Sequence, residues 1–282
     1  MKICPALTHL TQPSLSLPPS HSLPFQTVHA TIAGTKMRYG FVTQRGFYPD
    51  EPNKANQDQF LIVNDFCQIP GDTLFSVFDG HGKEGDICSL FAKAHLPVQM
   101  AKDIQASKGG QKEGCDLTSQ RYQAACLKSH VETNKMMHRS QKVDDSLSGT
   151  TSISVVFHGK RMTICNVGDS RAIVGQKQPN NPNAPLRAMP LSRDQTPYRK
   201  DERVRVKKCG ARILSLDQIE GLEPIHENWG DVNLGEELDE GGDPPRIWSP
   251  HGEYPGTAFT RSLGDSYAEE LGVFAEPEMI TR

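Results

Sequence analysis

The sequence lacks three features that would each narrow its function: a CxxC cysteine pair, an apolar run long enough to span a bilayer, and an excess of basic residues. Its seven cysteines are an odd number and lie far apart, so a disulfide framework or a structural zinc site is disfavoured. The net charge of −3 provides no general attraction to nucleic acid. We therefore expect reduced cysteines inside the cell, and neither nucleic acid nor membrane among the partners.

Acidic residues are absent from the first 49 positions, which are instead rich in serine, threonine and proline. This composition predicts a disordered leader over residues 1–35. An organelle transit peptide is the alternative interpretation, although such peptides are usually rich in arginine and this segment is not. We expect a cytoplasmic or nuclear protein, and organelle targeting by the leader stays open.

Hydrophobic patterning predicts one domain over residues 36–282, in which short strands are combined with helices. Apolar or alternating runs predict strands at 60–63, 74–78, 151–157, 162–167 and 172–174. Helical spacing predicts helices after Gly82, over 119–137 and over 201–209, where Gly210 ends the last one. A polar stretch rich in glycine and proline, at about 220–252, indicates a surface insertion.

The tetrapeptide Asp79-Gly80-His81-Gly82 follows a predicted buried strand. A sheet would hold the Asp79 carboxylate rigidly, and the glycines allow a ligand to approach the backbone closely. Hard cations such as magnesium prefer oxygen ligands, including backbone carbonyls, so Asp79 and the Gly80 carbonyl form a candidate half-site. His81 is placed to exchange protons. Taken alone, the Asp-Gly pair is also a common turn sequence.

Two further acidic residues lie at predicted strand ends. Asp58 precedes the strand at 60–63, and Asp169 follows the strand at 162–167. Each taken singly is as well explained by a turn. Three acidic strand ends in one domain can converge on one sheet edge, where two divalent cations bridged by carboxylates would activate water and bind phosphate oxygens. That arrangement suits hydrolysis of a phosphomonoester, a reaction that is very slow without charge stabilisation.

Seven motifs in a fixed order then identify a family resemblance. They are NQD at 56–58, DGHG at 79–82, SGTT at 148–151, GDSR at 168–171, LSxDQTP at 191–197, GTAFTRSLGD at 256–265 and AEPE at 275–278. This series resembles the type 2C, or PPM-type, protein phosphatases. The resemblance implies an α+β fold, a four-layer α-β-β-α sandwich of two antiparallel sheets flanked by helices. It also implies Mg²⁺ or Mn²⁺ as cofactor and phosphoserine or phosphothreonine proteins as substrates.

The resemblance also implies a role for each matching residue. Asp79 should bridge two metal ions, the Gly80 carbonyl should bind one of them, and Asp58 should bind metal through water. Asp169 should hold a weaker third ion. His81 should be the general acid that protonates the leaving oxygen of serine or threonine.

Two positions depart from the family pattern. Gln57 stands where the family often has glutamate, so a metal contact there would be neutral and water-mediated. Lys54 lies near the place of a phosphate-binding arginine, which implies a contact with the substrate phosphate.

Several stretches, among them residues 44–50 and 242–246, resemble one branch of the family more closely. In those plant and algal proteins the phosphatase part precedes cyclic-nucleotide-binding and kinase domains. The family also has a later strand ending in Asp-Gly and a further aspartate, and Arg282 comes before both. We therefore expect a domain incomplete at its carboxyl end, with weak or absent hydrolysis by these 282 residues. The alternative is a non-catalytic, phosphatase-like interaction module.

Overall fold

The structure, a computed structural model, describes residues 27–32, 34–106, 115–179, 181, 183–231 and 243–282. Most of the predicted leader lies outside the described residues. Regular structure begins before the predicted boundary at Lys36, because β1 (Val28–Ile32) and β2 (Thr35–Tyr39) form an antiparallel hairpin whose Ile32 is buried. No helix among the described residues has the length and hydropathy needed to cross a membrane.

Five antiparallel strands, rich in β-branched and aromatic residues, form the central sheet. In spatial order they are β15 (Glu278–Thr281), β8 (Arg161–Val167), β7 (Ser152–His158), β4 (Thr73–Phe78) and β3 (Gln59–Asn64). The strands predicted at 60–63, 74–78, 151–157 and 162–167 are all present. Gly159 allows the tight turn between β7 and β8 because it adopts a φ of +56°.

Smaller antiparallel sheets surround the central one. One contains β5 (Gly80–His81), β6 (Gly149–Thr150) and β14 (Leu263–Gly264). A second contains β11 (Arg212–Leu214), β12 (Arg246–Trp248) and β13 (Pro255–Thr257). A third pairs β9 (Ile173–Gln176) with β10 (Arg187–Pro190). Strand β12 corrects the predicted insertion. Ile247 and Trp248 are buried in it, so the surface stretch does not extend to residue 252. Residues 232–242 of that stretch lie outside the described residues.

Two long helices, α1 (Gly85–Ala106) and α2 (Cys115–His138), pack together and against the central sheet. Leu96, Met100 and Ile104 recur every fourth residue, so they share one face of α1, and all three are fully buried. Burying each such side chain contributes about 1.5–3 kcal/mol. Helix α2 begins at Cys115, ahead of the predicted start at residue 119.

Three shorter helices complete the described fold: α3 (Lys200–Lys208), α4 (Leu216–Ile219) and α5 (Ser266–Glu269). Helix α3 ends as predicted, with Gly210 in the left-handed region at φ +93°. It packs with β11, β12 and α5 around a second apolar cluster, beside the main core under α1 and α2. The predicted class, an α+β sandwich of antiparallel sheets flanked by helices, is confirmed.

Candidate active site

The carboxylates of Asp58 and Asp79 meet at the end of the β3–β4 pair. Residue Gln59 in β3 is paired with Phe78 in β4, so one further step along both strands places Asp58 opposite Asp79. Their side chains are in hydrogen-bond contact. Two carboxyl groups that the sequence separates by 21 positions are therefore brought together by strand register.

This proximity has an electrostatic cost. Desolvation, followed by repulsion from Asp58 and Asp169, raises the pKa of Asp79 to about 6, and nearby His81 opposes that rise. Asp79 is therefore partly protonated near neutral pH unless a cation compensates the neighbouring negative charges. A divalent ion at this position would remove the repulsion.

Two threonines of the SGTT motif hold the backbone of Asp79. Thr151 Oγ1 accepts a hydrogen bond of 3.0 Å from the Asp79 N–H, and the Thr151 N–H donates to the Asp79 carbonyl at 2.9 Å. Thr150 Oγ1 donates to the same carbonyl at 3.1 Å. The motif predicted a core strand with threonine hydroxyls bonding locally, but their partner is Asp79, more than 70 positions away. The structure shows that these hydroxyls fix the position from which the Asp79 side chain projects.

Asp169 lies next to this carboxylate pair, close enough to raise the pKa of Asp79. It follows Gly168, whose φ of +99° ends β8 in a turn. Gln195 is fully buried and secures that turn, because its amide oxygen accepts from the Gly168 N–H at 2.7 Å. Desolvation is the main cause that raises the pKa of Asp169, with Asp194 adding to it.

His81 is bound to Asp265, a residue 184 positions away. The His81 Nε2–H donates to Asp265 Oδ2 at 2.6 Å, and the Ser262 hydroxyl donates to the same oxygen at 2.6 Å. Asp265 is 2% exposed. Gly149 passes close by, and a Cβ at that position would lie 2.2 Å from Asp265 Oδ2. Only glycine therefore leaves room for the His81–Asp265 pair.

The surroundings of His81 favour its protonated form. Burial lowers the pKa of His81, but attraction to Asp265 and the hydrogen bond with it outweigh burial, so the net pKa is raised. The ring of Phe259 packs against the imidazole with centroids 4.4 Å apart. Because Nε2 bonds to Asp265, Nδ1 is the nitrogen left to face a ligand.

Gln57 and Gly80 support the loop between β4 and α1. The Gln57 amide nitrogen donates to the Gly82 carbonyl at 2.7 Å, so this side chain braces the DGHG loop. A Cβ on Gly80 would lie 2.2 Å from the Gly85 carbonyl oxygen and 2.6 Å from that of Gln57. The backbones pass so closely here that position 80 requires glycine.

Lys54, the predicted phosphate contact, lies in the loop before Asp58. Its ammonium group sits 4.1 Å from the centroid of the Tyr48 ring, in a cation–π arrangement. The structure thus places Lys54 on an aromatic side chain, and its contact with substrate phosphate stays a prediction. Arg171 of the GDSR motif forms a structural ion pair with Asp194 through two hydrogen bonds, at 2.9 and 2.7 Å.

A second group of carboxylates in the same molecule is neutralised by arginine side chains. Its members are Asp201, Glu202 and Glu278. Arg199, which is 2% exposed, bonds to both Asp201 and Glu278. Burial opposes ionisation of Glu202, but hydrogen bonds from Arg261 and Arg205 outweigh it and lower the pKa of Glu202 to about 2. Arginines supply the positive charge here and lower the pKa of Glu202, whereas the pKa of Asp79 is raised.

Residues 53–282 match the family model described as Protein phosphatase 2C. The chain belongs to the protein phosphatase 2C family. The match covers every candidate site residue from Lys54 to Asp265. Phosphatases of this family act on serine and threonine phosphate esters and depend on Mg²⁺ or Mn²⁺.

Curated relatives agree with the family assignment. The chain is 44% identical over 257 residues to "Probable protein phosphatase 2C 35" of Arabidopsis thaliana, covering 91% of this chain and 68% of that protein. It is 30% identical over 239 residues to "Probable protein phosphatase 2C 48" of Oryza sativa subsp. japonica, covering 80% of this chain and 60% of that protein.

Solved structures show the same fold. A serine-threonine phosphatase 2C from Toxoplasma gondii aligns with a TM-score of 0.62 at 17% identity, over 92% of this chain and 78% of that one. A sex-determining protein of C. elegans aligns with a TM-score of 0.55 at 20% identity, over 82% of this chain and 45% of that one. These identities are low, so they support the phosphatase 2C fold and nothing finer.

The residues of this phosphatase 2C domain fit a divalent metal by the chemistry of their donors. Asp58 and Asp79 are adjacent carboxylates, the ligand type that Mg²⁺ and Mn²⁺ prefer. Burial, followed by repulsion from Asp58 and Asp169, raises the pKa of Asp79, and the attraction of His81 offsets that rise only in part. Asp169 adds a third carboxylate at the same edge.

Sequence reasoning missed three residues that organise this phosphatase 2C site. Asp265 binds His81, Gln195 secures the turn before Asp169, and Thr151 holds the Asp79 backbone. All three belong to motifs recognised in the sequence. Their positions inside those motifs were the available signal, but their partners lie in distant parts of the chain.

Proposed function

We propose that this domain hydrolyses phosphoserine and phosphothreonine esters of proteins, only weakly in these 282 residues, with the Asp58–Asp79 edge holding two Mg²⁺ or Mn²⁺ ions and Asp169 a weaker third. The observation that carries the proposal is the contact between the Asp58 and Asp79 carboxyl groups, with the raised pKa of Asp79. Two close carboxylates that His81 compensates only in part are costly to maintain, and a divalent ion would offset that cost.

Each side chain then has a definite task. When bound, the ions supply an activated water nucleophile and neutralise charge on the phosphoryl oxygens. Asp58 and Asp79 orient the ions from the rigid ends of two paired strands. The His81 Nδ1–H gives its proton to the departing serine or threonine oxygen, which is a poor leaving group without protonation. Asp265 holds the imidazole in place and stabilises its positive charge.

Phosphoproteins are the proposed substrates, in keeping with the family. The name of the Arabidopsis relative, a probable protein phosphatase 2C, supports this class of substrate. The cyclic-nucleotide-binding and kinase domains, and the cytoplasmic or nuclear location, stay predictions.

The proposal is tested by a single-turnover assay with the chain in excess over a phosphothreonine peptide, since slow hydrolysis is visible under those conditions. We expect phosphate release that requires Mn²⁺ and falls at least about a hundredfold in Asp79→Asn. The matched control is Asp103→Asn, which removes a carboxylate paired with Lys128 on the surface of α1. That variant should release phosphate like the unmodified chain.

Two results would argue against the proposal. Release that survives Asp79→Asn unchanged would remove Asp79 from the mechanism. No release, together with no Mn²⁺ binding by calorimetry, would favour the alternative hypothesis of a non-catalytic interaction module.

A further inference from the structure

Three large side chains stand exposed on one part of the surface. Tyr254, Tyr267 and Leu147 are 50%, 54% and 48% exposed. The two tyrosine rings meet edge to face, with centroids 6.5 Å apart. We call these three residues the aromatic surface. Aromatic side chains of this kind are enriched where proteins bind other polypeptides, because they bury much area while losing little conformational freedom.

Backbone contacts place the aromatic surface beside His81. Tyr267 comes two residues after Asp265, the partner of His81, and its N–H donates to the Ser146 carbonyl at 3.3 Å. The Leu147 carbonyl oxygen would lie 2.4 Å from a Cβ on Gly82, the residue directly after His81. Tyr267 and Leu147 are therefore carried by segments that contact the His81 loop or its partner, and Tyr254 joins them through its ring contact with Tyr267.

The proposed reaction determines on which side of the site the substrate polypeptide lies. In hydrolysis of a phosphoprotein, the oxygen that leaves phosphorus is the side-chain oxygen of the substrate serine or threonine. The general acid must lie within hydrogen-bond reach of that oxygen. The substrate polypeptide therefore passes the site on the side of His81. Exposed surface adjoining His81 is where residues flanking the phosphorylated side chain come into contact with the enzyme.

We infer that the aromatic surface binds an apolar side chain of the substrate, close in sequence to its phosphorylated serine or threonine. The inference rests on the proposed function, because it uses His81 as the acid for the leaving oxygen. The occupant is a flexible phosphopeptide segment carrying leucine or phenylalanine near the phosphate. Burial of such a side chain against Tyr254 and Tyr267 favours binding of the phosphoproteins that carry it. Recognition of the phosphate alone does not distinguish one phosphoprotein from another.

Peptide binding measured by fluorescence anisotropy tests this inference without requiring turnover. Two labelled phosphothreonine peptides are compared in the presence of EDTA, one with leucines flanking the phosphothreonine and one with alanines. We expect the leucine peptide to bind about tenfold more tightly. The double variant Tyr254→Ala, Tyr267→Ala should bind both peptides equally. Leu127→Ala, which removes an exposed leucine from α2, should keep the tenfold preference.

Equal affinity of the unmodified chain for both peptides would overturn the inference, and so would a preference that survives in the double variant. Tyr267→Glu serves as a second variant should the double variant unfold, with circular dichroism used to check folding. It should abolish the preference by placing a charge in the apolar contact. Mn²⁺-dependent hydrolysis of p-nitrophenyl phosphate, which has no flanking residues, separately reports the proposed function. It should be lost in Asp79→Asn and kept in Leu127→Ala.

Discussion

At the scale of single residues, the candidate site depends on pairs whose members are distant in sequence. The His81–Asp265 pair is the clearest case, because the carboxylate both orients the imidazole and favours its protonated state. Gly149 contributes by the side chain it lacks, since a Cβ there would collide with Asp265. Glycine at position 149 is therefore a steric requirement for the bond between His81 and Asp265.

Asp265→Asn should slow hydrolysis most for substrates whose leaving oxygen must be protonated. An alkyl phosphate such as phosphoserine needs an acid, whereas p-nitrophenolate leaves readily without one. We expect Mn²⁺-dependent release from a phosphoserine peptide to fall about 10- to 100-fold, and p-nitrophenyl phosphate hydrolysis to fall much less. Equal losses with both substrates would indicate that Asp265 acts on folding or metal binding instead of on His81.

At the scale of secondary-structure elements, strand register determines which carboxylates meet. The β3–β4 pairing puts Asp58 opposite Asp79, and the Thr150 and Thr151 hydroxyls, where β6 meets β7, hold the backbone of Asp79 directly after β4. A slip of one residue in that register would turn the side chains of one strand to the opposite face. The hydrophobic pattern of the strands therefore also maintains the register that brings Asp58 and Asp79 together.

Thr151→Val tests the hydroxyl that holds Asp79. The variant keeps the shape of the side chain but leaves the Asp79 N–H without its partner, so we expect a loss of about 1–3 kcal/mol in the free energy of unfolding. Thr133→Val is the matched control, because the Thr133 hydroxyl is buried in α2 with no hydrogen-bond partner. Urea denaturation should show no loss for Thr133→Val. A similar loss in both variants would contradict the assigned role of Thr151.

At the scale of the whole molecule, the site lies where two packed regions meet. Asp58, Asp79 and His81 belong to the region built on the central sheet, while α5 packs in the second apolar cluster. His138 helps join these regions, since it donates to Asp145 at 2.5 Å and lies 3.0 Å from Glu269 of α5. The position of Asp265, directly before α5, therefore depends on contacts that span the molecule.

Three histidines with shifted pKa values predict how the free energy of unfolding varies with pH. Hydrogen bonds to Asp145 and Glu269 raise the pKa of His138 to about 9, whereas burial lowers the pKa of His130 and of His158 to about 4. The stability that comes from His138 is complete below its unfolded pKa of about 6.5 and is lost as pH rises through 9. The contribution of His130 and His158 is complete above about 6.5 and is lost as pH falls toward 4.

His138→Gln should therefore be less stable than the unmodified chain at pH 6, and the difference should shrink as pH approaches 9. The expected slope is up to about 1.4 kcal/mol per pH unit. Urea denaturation across this pH range measures it. The exposed His251→Gln variant controls for loss of one histidine outside the network. A difference between His138→Gln and the unmodified chain that stays constant with pH would contradict the ion-pair explanation.

Local signals in the sequence were sufficient to predict the main strands, the family and which carboxylates lie at strand ends. Period-two and apolar runs predicted β3, β4, β7 and β8, because alternation of faces is a property of each strand by itself. Two predicted segment boundaries were wrong, because the hydrophobic pattern there did not distinguish buried from exposed positions. The buried strand at Ile247 was included in a polar insertion, and the hairpin beginning at Val28 was included in a leader.

The sequence by itself determined which residue types could bind metal and donate protons, and in what order they occur. Only the tertiary structure decided their partners: Asp265 for His81, Thr151 for Asp79, Gly82 for Gln57 and the Tyr48 ring for Lys54. The physical reason is that a motif records local backbone requirements, whereas a side-chain partner is selected by packing between segments far apart in the chain.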